Sequence, residues 1–90
     1  MVDPVPSVTI QVRYFAGARA AAGRTEETVS VQAGSTIGDV IATLSTRHGE
    51  PLQRVLTAAS YLVDGVAVRD KSNVVTDSIQ LDVLPPFAGG

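Results

Sequence analysis

In the stretch Thr36-Ile37-Gly38-Asp39-Val40-Ile41-Ala42-Thr43-Leu44 the hydrophobic period of the chain changes. Ile37, Val40, Ile41 and Leu44 stand at i, i+3, i+4 and i+7, which places them on one apolar stripe of a helix. Thr36 followed by Asp39 fits a capping box, in which each side chain accepts from the other residue's amide. Arg47 and His48 suit the last turn, Gly49 the left-handed position just past it, and Pro51 a stop. The spacing therefore predicts one main helix ending near His48. Leu52, Val55, Leu56 and Ala59 repeat the pattern over a shorter stretch and predict a second, short helix.

On both sides of this segment the period falls to two. Val8, Ile10, Val12 and Tyr14 alternate with Thr9, Gln11 and Arg13, the signature of a half-buried strand. The alanine-rich run from Ala16 to Ala22, closed by Gly23, predicts a short helix or helical turn. Thr28 to Gln32 alternates again and reads as a second strand, antiparallel to the first because so short a connection leaves no room for a parallel crossover. Tyr61-Leu62-Val63, Asp64-Gly65 and Val66-Ala67-Val68 read as a hairpin. Ile79, Leu81 and Val83 alternate with Gln80, Asp82 and Leu84 in a last strand. The expected class is α+β, with one sheet, the main helix packed across one face and the other face partly open. Residues 1–7, with two prolines and no periodicity, read as a flexible N-terminal arm. Residues 8–90 read as a single domain that includes a tail, 85–90.

Composition removes several classes of function. Within these ninety residues there is no cysteine, so a disulfide staple, a thiolate metal site and a thiol nucleophile are all excluded. Nine acidic against seven basic residues, with Lys71 the single lysine, argue against a nucleic-acid footprint. No apolar run approaches the ~18–20 residues of a membrane span, and the first residues lack a charged leader followed by an apolar stretch. A soluble, cytoplasmic domain is expected, with neither nucleic acid nor membrane as partner. His48 is the only histidine, which rules out a Ser-His-Asp set or a histidine metal cluster, and it reads as a charge or cap at a helix end. The run from Gly17 to Thr25 is not a phosphate loop, since five residues separate its glycines and Arg24 replaces the lysine. Asp64, Asp70, Asp77 and Asp82 have no calcium-loop spacing and read as solvated surface charges. No metal site is expected.

What remains is the ending Pro85-Pro86-Phe87-Ala88-Gly89-Gly90. Two prolines halt the strand, and six residues at ~3.3 Å each span up to about 20 Å. Gly-Gly carries no Cβ atoms and so fits a channel too narrow for any other pair. Strand parity adds Phe15 and Leu84, large apolar residues that fall opposite their strands' core sets. If the first and last strands are neighbours, these two form an outward patch.

The segment Phe15-Ala16-Gly17-Ala18-Arg19-Ala20-Ala21-Ala22-Gly23 and the Pro-Pro-x-x-Gly-Gly ending together resemble the ubiquitin-like sulfur carriers of the MoaD/ThiS type, and among these the small subunits of molybdopterin synthase. The resemblance covers about Val8 to Gly90. It implies a β-grasp fold, a mixed sheet around the main helix with a protruding C-terminal Gly-Gly tail. It implies that the chain is not an enzyme alone. An E1-like adenylating partner would use ATP to activate the Gly90 carboxylate, no cofactor being bound by the chain itself, and a sulfur donor would convert it to a thiocarboxylate. Gly89 would keep the channel passable, and Pro85, Pro86, Phe87 and Ala88 would position the tail. Phe15 and Leu84 would meet the large, catalytic subunit, in a heterotetramer of two small and two large subunits, with Arg13 and Arg19 as salt bridges at the rim. The acceptor would be a cyclic pyranopterin monophosphate in molybdenum cofactor biosynthesis. A carrier for thiamine or cysteine biosynthesis, a ubiquitin-like protein modifier, and a passive β-grasp interaction module stay open beside that reading.

Overall fold

The computed structural model describes residues 6–85. In chain order these form β1 (Ser7–Tyr14), α1 (Gly17–Ala22), β2 (Glu26–Gln32), α2 (Ile37–His48), α3 (Glu50–Ala58), β3 (Ser60–Val63), β4 (Val66–Ala67) and β5 (Ile79–Leu84). The five strands make one sheet in the order β2-β1-β5-β3-β4. β1 is antiparallel to β2, as its short connection requires, and parallel to β5, with Ile10 opposite Ile79 and Tyr14 opposite Val83. β3 is antiparallel to both β5 and β4. This mixed sheet around one main helix is the β-grasp fold. The first and last strands are neighbours at its centre.

Alternation decides which face is core. Val8, Ile10, Val12 and Tyr14 of β1, Val29 of β2, Tyr61 of β3, and Leu81 and Val83 of β5 are buried on one side. Against them lie Ile37, Val40 and Leu44 of α2 and Leu52 and Leu56 of α3. Each such side chain, taken fully out of water, contributes about 1.5–3 kcal/mol. β1 starts one residue earlier than its alternation indicated, at Ser7 opposite Gln32, and the Pro6 carbonyl accepts from the Ala33 amide at 2.9 Å. Residues 1–5 lie outside the described part of the chain. No helix among the described residues is long and apolar enough to cross a membrane.

The start of α2 is fully accounted for. The Thr36 hydroxyl accepts from the Asp39 amide at 3.0 Å, and the Asp39 carboxylate accepts from the Thr36 amide at 2.9 Å, so the capping box is complete. The amides of Ile37 and Gly38 donate to the carbonyls of Asn73 and Lys71 at 3.0 and 2.8 Å. The segment between β4 and β5, silent in the sequence pattern, thus supplies acceptors that an isolated helix lacks. A Cβ on Gly38 would stand 3.4 Å from the Lys71 carbonyl oxygen, at the edge of ordinary van der Waals contact. The Lys71 ammonium lies 5.4 Å from the centre of the Tyr61 ring.

The end of α2 differs from its sequence reading. Gly49 has the positive φ expected, 84°, but ψ is −163°, not a left-handed helical value. The same residue caps α3, which begins at once, so the chain reverses within a single glycine and Pro51 opens the new helix as well as ending the old one. The hairpin is as read: Asp64 and Gly65 both take positive φ, and Val63 pairs with Val66.

Between β1 and α1 the backbone of Ala16 sits at φ 48°, ψ −122°, a conformation natural to glycine. Ala16 is exposed, so its methyl group contributes no core packing. Relief of strain worth ~1–3 kcal/mol outweighs the ~0.4–1 kcal/mol of added unfolded-chain entropy. We expect Ala16→Gly to raise stability by about 1 kcal/mol, read as a higher urea midpoint at unchanged slope.

Candidate functional site: the tail end of the sheet

β5 is the second central strand, and the chain continues from its last residue, Leu84, and the following Pro85 into the Gly-Gly ending. Both residues are half-buried. Parallel pairing sets Arg13 beside Asp82 and Tyr14 beside Val83, and the Phe15 amide donates to the Val83 carbonyl at 3.2 Å. One step further along, Phe15 and Leu84 come side by side on the face that carries no helix. Leu62 of β3, opposite Asp82, shares that face. Its parity was available in the sequence, but its role as a third apolar residue depends on β3 lying next to β5, which alternation cannot reveal. Pro86, Phe87, Ala88, Gly89 and Gly90 lie outside the described residues.

Two of the charges here do not stand where sequence reading put them. Asp82, taken for a solvated surface charge, is only 5 % exposed. Arg13, taken for a rim residue free to meet a partner, holds it in a fork, Nε to Oδ1 at 2.8 Å and Nη2 to Oδ2 at 3.1 Å. The hydrogen bond to Asp82 also raises the guanidinium pKa above its ordinary value. Arg13 lies 5.4 Å from the centre of the Phe15 ring, so the cation roofs the carboxylate and flanks the apolar patch at once. Arg19 is exposed on α1, while Asp64, Asp70 and Asp77 are exposed as expected.

On the core side of the same pole lies a polar cluster absent from the sequence reading. Glu27 is 7 % exposed and faces inward opposite Val12. It accepts from the Tyr14 hydroxyl at 2.6 Å and from Arg47 Nη1 at 3.0 Å, and it contacts His48 Nε2. His48 is therefore more than a cap at a helix end: it ties the last turn of α2 to β2, with its ring edge-on to Tyr14 at 6.0 Å. Burial pushes the Glu27 carboxyl up, but the hydrogen bonds from Tyr14, His48 and Arg47 outweigh it and hold the group below the ordinary carboxylate range. Burial, then the bond to Glu27, pushes the Tyr14 phenol strongly upward, so it stays a donor. Among the described residues no group of three or more His, Cys, Asp or Glu stands together as metal ligands.

Comparison with known proteins follows this geometry. The model of the ThiS family matches residues 12–90. The chain belongs to the ThiS family. Among solved structures it is similar to a putative molybdopterin converting factor, subunit 1, from Pyrococcus furiosus, with 24 % identity, a TM-score of 0.75, and coverage of 89 % of this chain and 99 % of that one. SAMP1 from Haloferax volcanii superposes with a TM-score of 0.77 at 24 % identity, over 91 % of this chain and 99 % of that one. A complex of subunits 1 and 2 of molybdopterin-converting factor from Helicobacter pylori contains a similar chain, with a TM-score of 0.63, 20 % identity, and coverage of 92 % and 100 %. No curated relative matches the chain.

In this ThiS-family chain the Glu27 cluster links stability to pH. A carboxyl held below its unfolded value near ~4.3 adds stability that is complete above that pH and disappears as pH falls through the folded value. Glu27→Gln should cost about 2 kcal/mol at neutral pH. The gap between the two proteins, followed by urea denaturation, should close as the pH is lowered below ~4; a gap independent of pH would show that the carboxylate charge is not what the cluster holds.

Proposed function

We propose that this chain is the sulfur-carrying small subunit of a molybdopterin synthase, with the Gly90 carboxylate as its working group. The observation that carries the reading is the continuity of the central strand β5, beside Phe15, Leu62 and Leu84, with an ending of Pro85-Pro86-Phe87-Ala88-Gly89-Gly90. Membership of the ThiS family and the likeness to two molybdopterin converting factor subunits support it.

The chemistry follows from the carboxylate. With a pKa of about 3.3–3.7 it is ionised at neutral pH and is a poor electrophile. In an E1-like partner a Gly90 oxygen attacks the α-phosphorus of ATP, pyrophosphate leaves, and the acyl carbon gains a good leaving group. Sulfur from a donor of the hydrosulfide oxidation level then adds to that carbon, AMP departs, and a proton is released. Gly90 now ends in a thiocarboxylate, which the large subunit presents to a cyclic pyranopterin monophosphate. Gly89 keeps the entry channel passable. Pro85, Pro86, Phe87 and Ala88 set the tail's direction, and the patch of Phe15, Leu62 and Leu84 seats the large subunit. The two-plus-two assembly implied by the family resemblance belongs to this same reading.

A second reading has its own support in the similarity to SAMP1, the small archaeal modifier protein 1 of Haloferax volcanii. There the activated Gly90 would be attacked by a target lysine, giving an isopeptide bond. The two readings separate by mass. Incubation with ATP, an adenylating enzyme and sulfide should raise the intact mass by the difference between one sulfur and one oxygen. Gly89→Val should abolish that gain while leaving the amide spectrum of the folded domain unchanged, and a Gly89→Val chain that loads normally would overturn the threading argument. Lysine adducts in place of a thiocarboxylate would favour the modifier reading.

A further inference from the structure

At the opposite end of β5 the surface opens into a groove of about 560 Å³ between the β3–β4 hairpin and the segment that leads into β5. It is separated from Leu84 by the length of the strand, about 20 Å at ~3.3 Å per residue. Val66 and Val74, 70 % and 58 % exposed, are the two large hydrophobic residues that the described fold leaves most open to solvent, and both line this groove. Its base is apolar, with Val63, Val68 and Ile79. Its charged lining consists of Asp64 and Asp77, and no lysine or arginine lines it.

The backbone adds direction. Val63 pairs with Val66 and the Val68 amide donates to the Tyr61 carbonyl, so antiparallel alternation turns the amide and carbonyl of Ala67 outward from the edge of the sheet. Across the groove, Val75 exchanges bonds with Gly34 and Ser35 at 2.8 and 2.7 Å, which turns Val74 and Thr76 the other way. Among the described residues the amides of Ala67, Val74 and Thr76 have no backbone acceptor. An edge with unspent amides and carbonyls, an apolar base and an acidic lining fits one kind of ligand.

We infer that this groove is a second docking site, at the far end of β5 from Leu84, for an extended segment of a partner protein that alternates apolar side chains with lysine or arginine. Such a segment pairs with Ala67 as an added strand, lays its apolar side chains on Val66 and Val74, and directs its cations at Asp64 and Asp77. The inference does not rest on the Proposed function. Its consequence is that one partner holds the chain by the groove while the tail enters another.

The test uses the full chain labelled with ¹⁵N and an acetylated heptapeptide alternating valine and lysine. Amide shift changes should concentrate on Ala67, Val74, Thr76 and their neighbours. A heptapeptide alternating valine and glutamate should bind at least about tenfold more weakly, a difference of ~1.4 kcal/mol. Val66→Glu and Asp77→Asn, both at exposed positions, should each weaken the lysine peptide while the remaining spectrum shows an intact fold. Absence of shifts, shifts centred on Phe15 and Leu84, or equal binding of the two peptides would overturn the proposal. So would concentration-dependent shifts in the groove without peptide, which would make its occupant a second copy of the chain. Loading of Gly90 is not read in this experiment, so its outcome and that of the tail chemistry are independent.

Discussion

The parallel ladder between β1 and β5 is the constraint on which the rest of the molecule depends. It joins residues 69 apart in sequence, as in the Arg13–Asp82 pair, and closing so long a loop is costly before any contact repays it. The chain between those strands adds β2 to one side of the pair and β3 and β4 to the other, and must cross from one side to the other in between. α2 and α3 make that crossing, and the capped start of α2 is held by the segment leading back into β5. The ladder also places the end of β5 beside the end of β1, so the apolar pair Phe15 and Leu84 is a product of topology more than of either local sequence.

Two buried carboxylates lie at the same pole on opposite faces of the sheet. Asp82 faces away from the helices under Arg13, and Glu27 faces them under Tyr14, Arg47 and His48. Neither is an economical source of stability, because desolvation offsets most of the Coulombic gain. Their effect is on register. A slip of β5 by one residue would turn Asp82 into the hydrophobic core and separate it from Arg13. A slip of β2 by one residue would turn Val29 away from the core and set Thr28 or Glu26 where Glu27 now meets Tyr14 and Arg47. The native pairing is thereby set apart from its nearest competitors at the end of the sheet from which the tail continues.

The elements of the fold were readable because their periods are clean: the stripe of α2, the Asp64-Gly65 turn and β5 appear where alternation and capping put them, and β1 differs only by the added Ser7. Glu27 was missed because a second strand read from Thr28 starts one residue too late to expose its inward parity, and because a charge at a core position looks like the end of a strand. Asp82 was misplaced since nothing local announces that Arg13, far away in sequence, will cover it. Gly49 carried a correct sign of φ and a wrong conformation because two helices share it. The segment from Arg69 to Ser78 has no period at all, and its place at the start of α2 is set by long-range hydrogen bonds that no local pattern announces.

Lys71 bears on the proposed activation of Gly90. An acyl adenylate is consumed by any amine or thiol within reach, including those of the molecule that bears it. Here there is no thiol, and the single side-chain amine stands over the Tyr61 ring in a segment pinned to α2 by the Gly38 amide. Under the proposed chemistry, Lys71 and the chain's α-amine are then the only amines of the molecule that could compete with an intended acceptor for an energised Gly90.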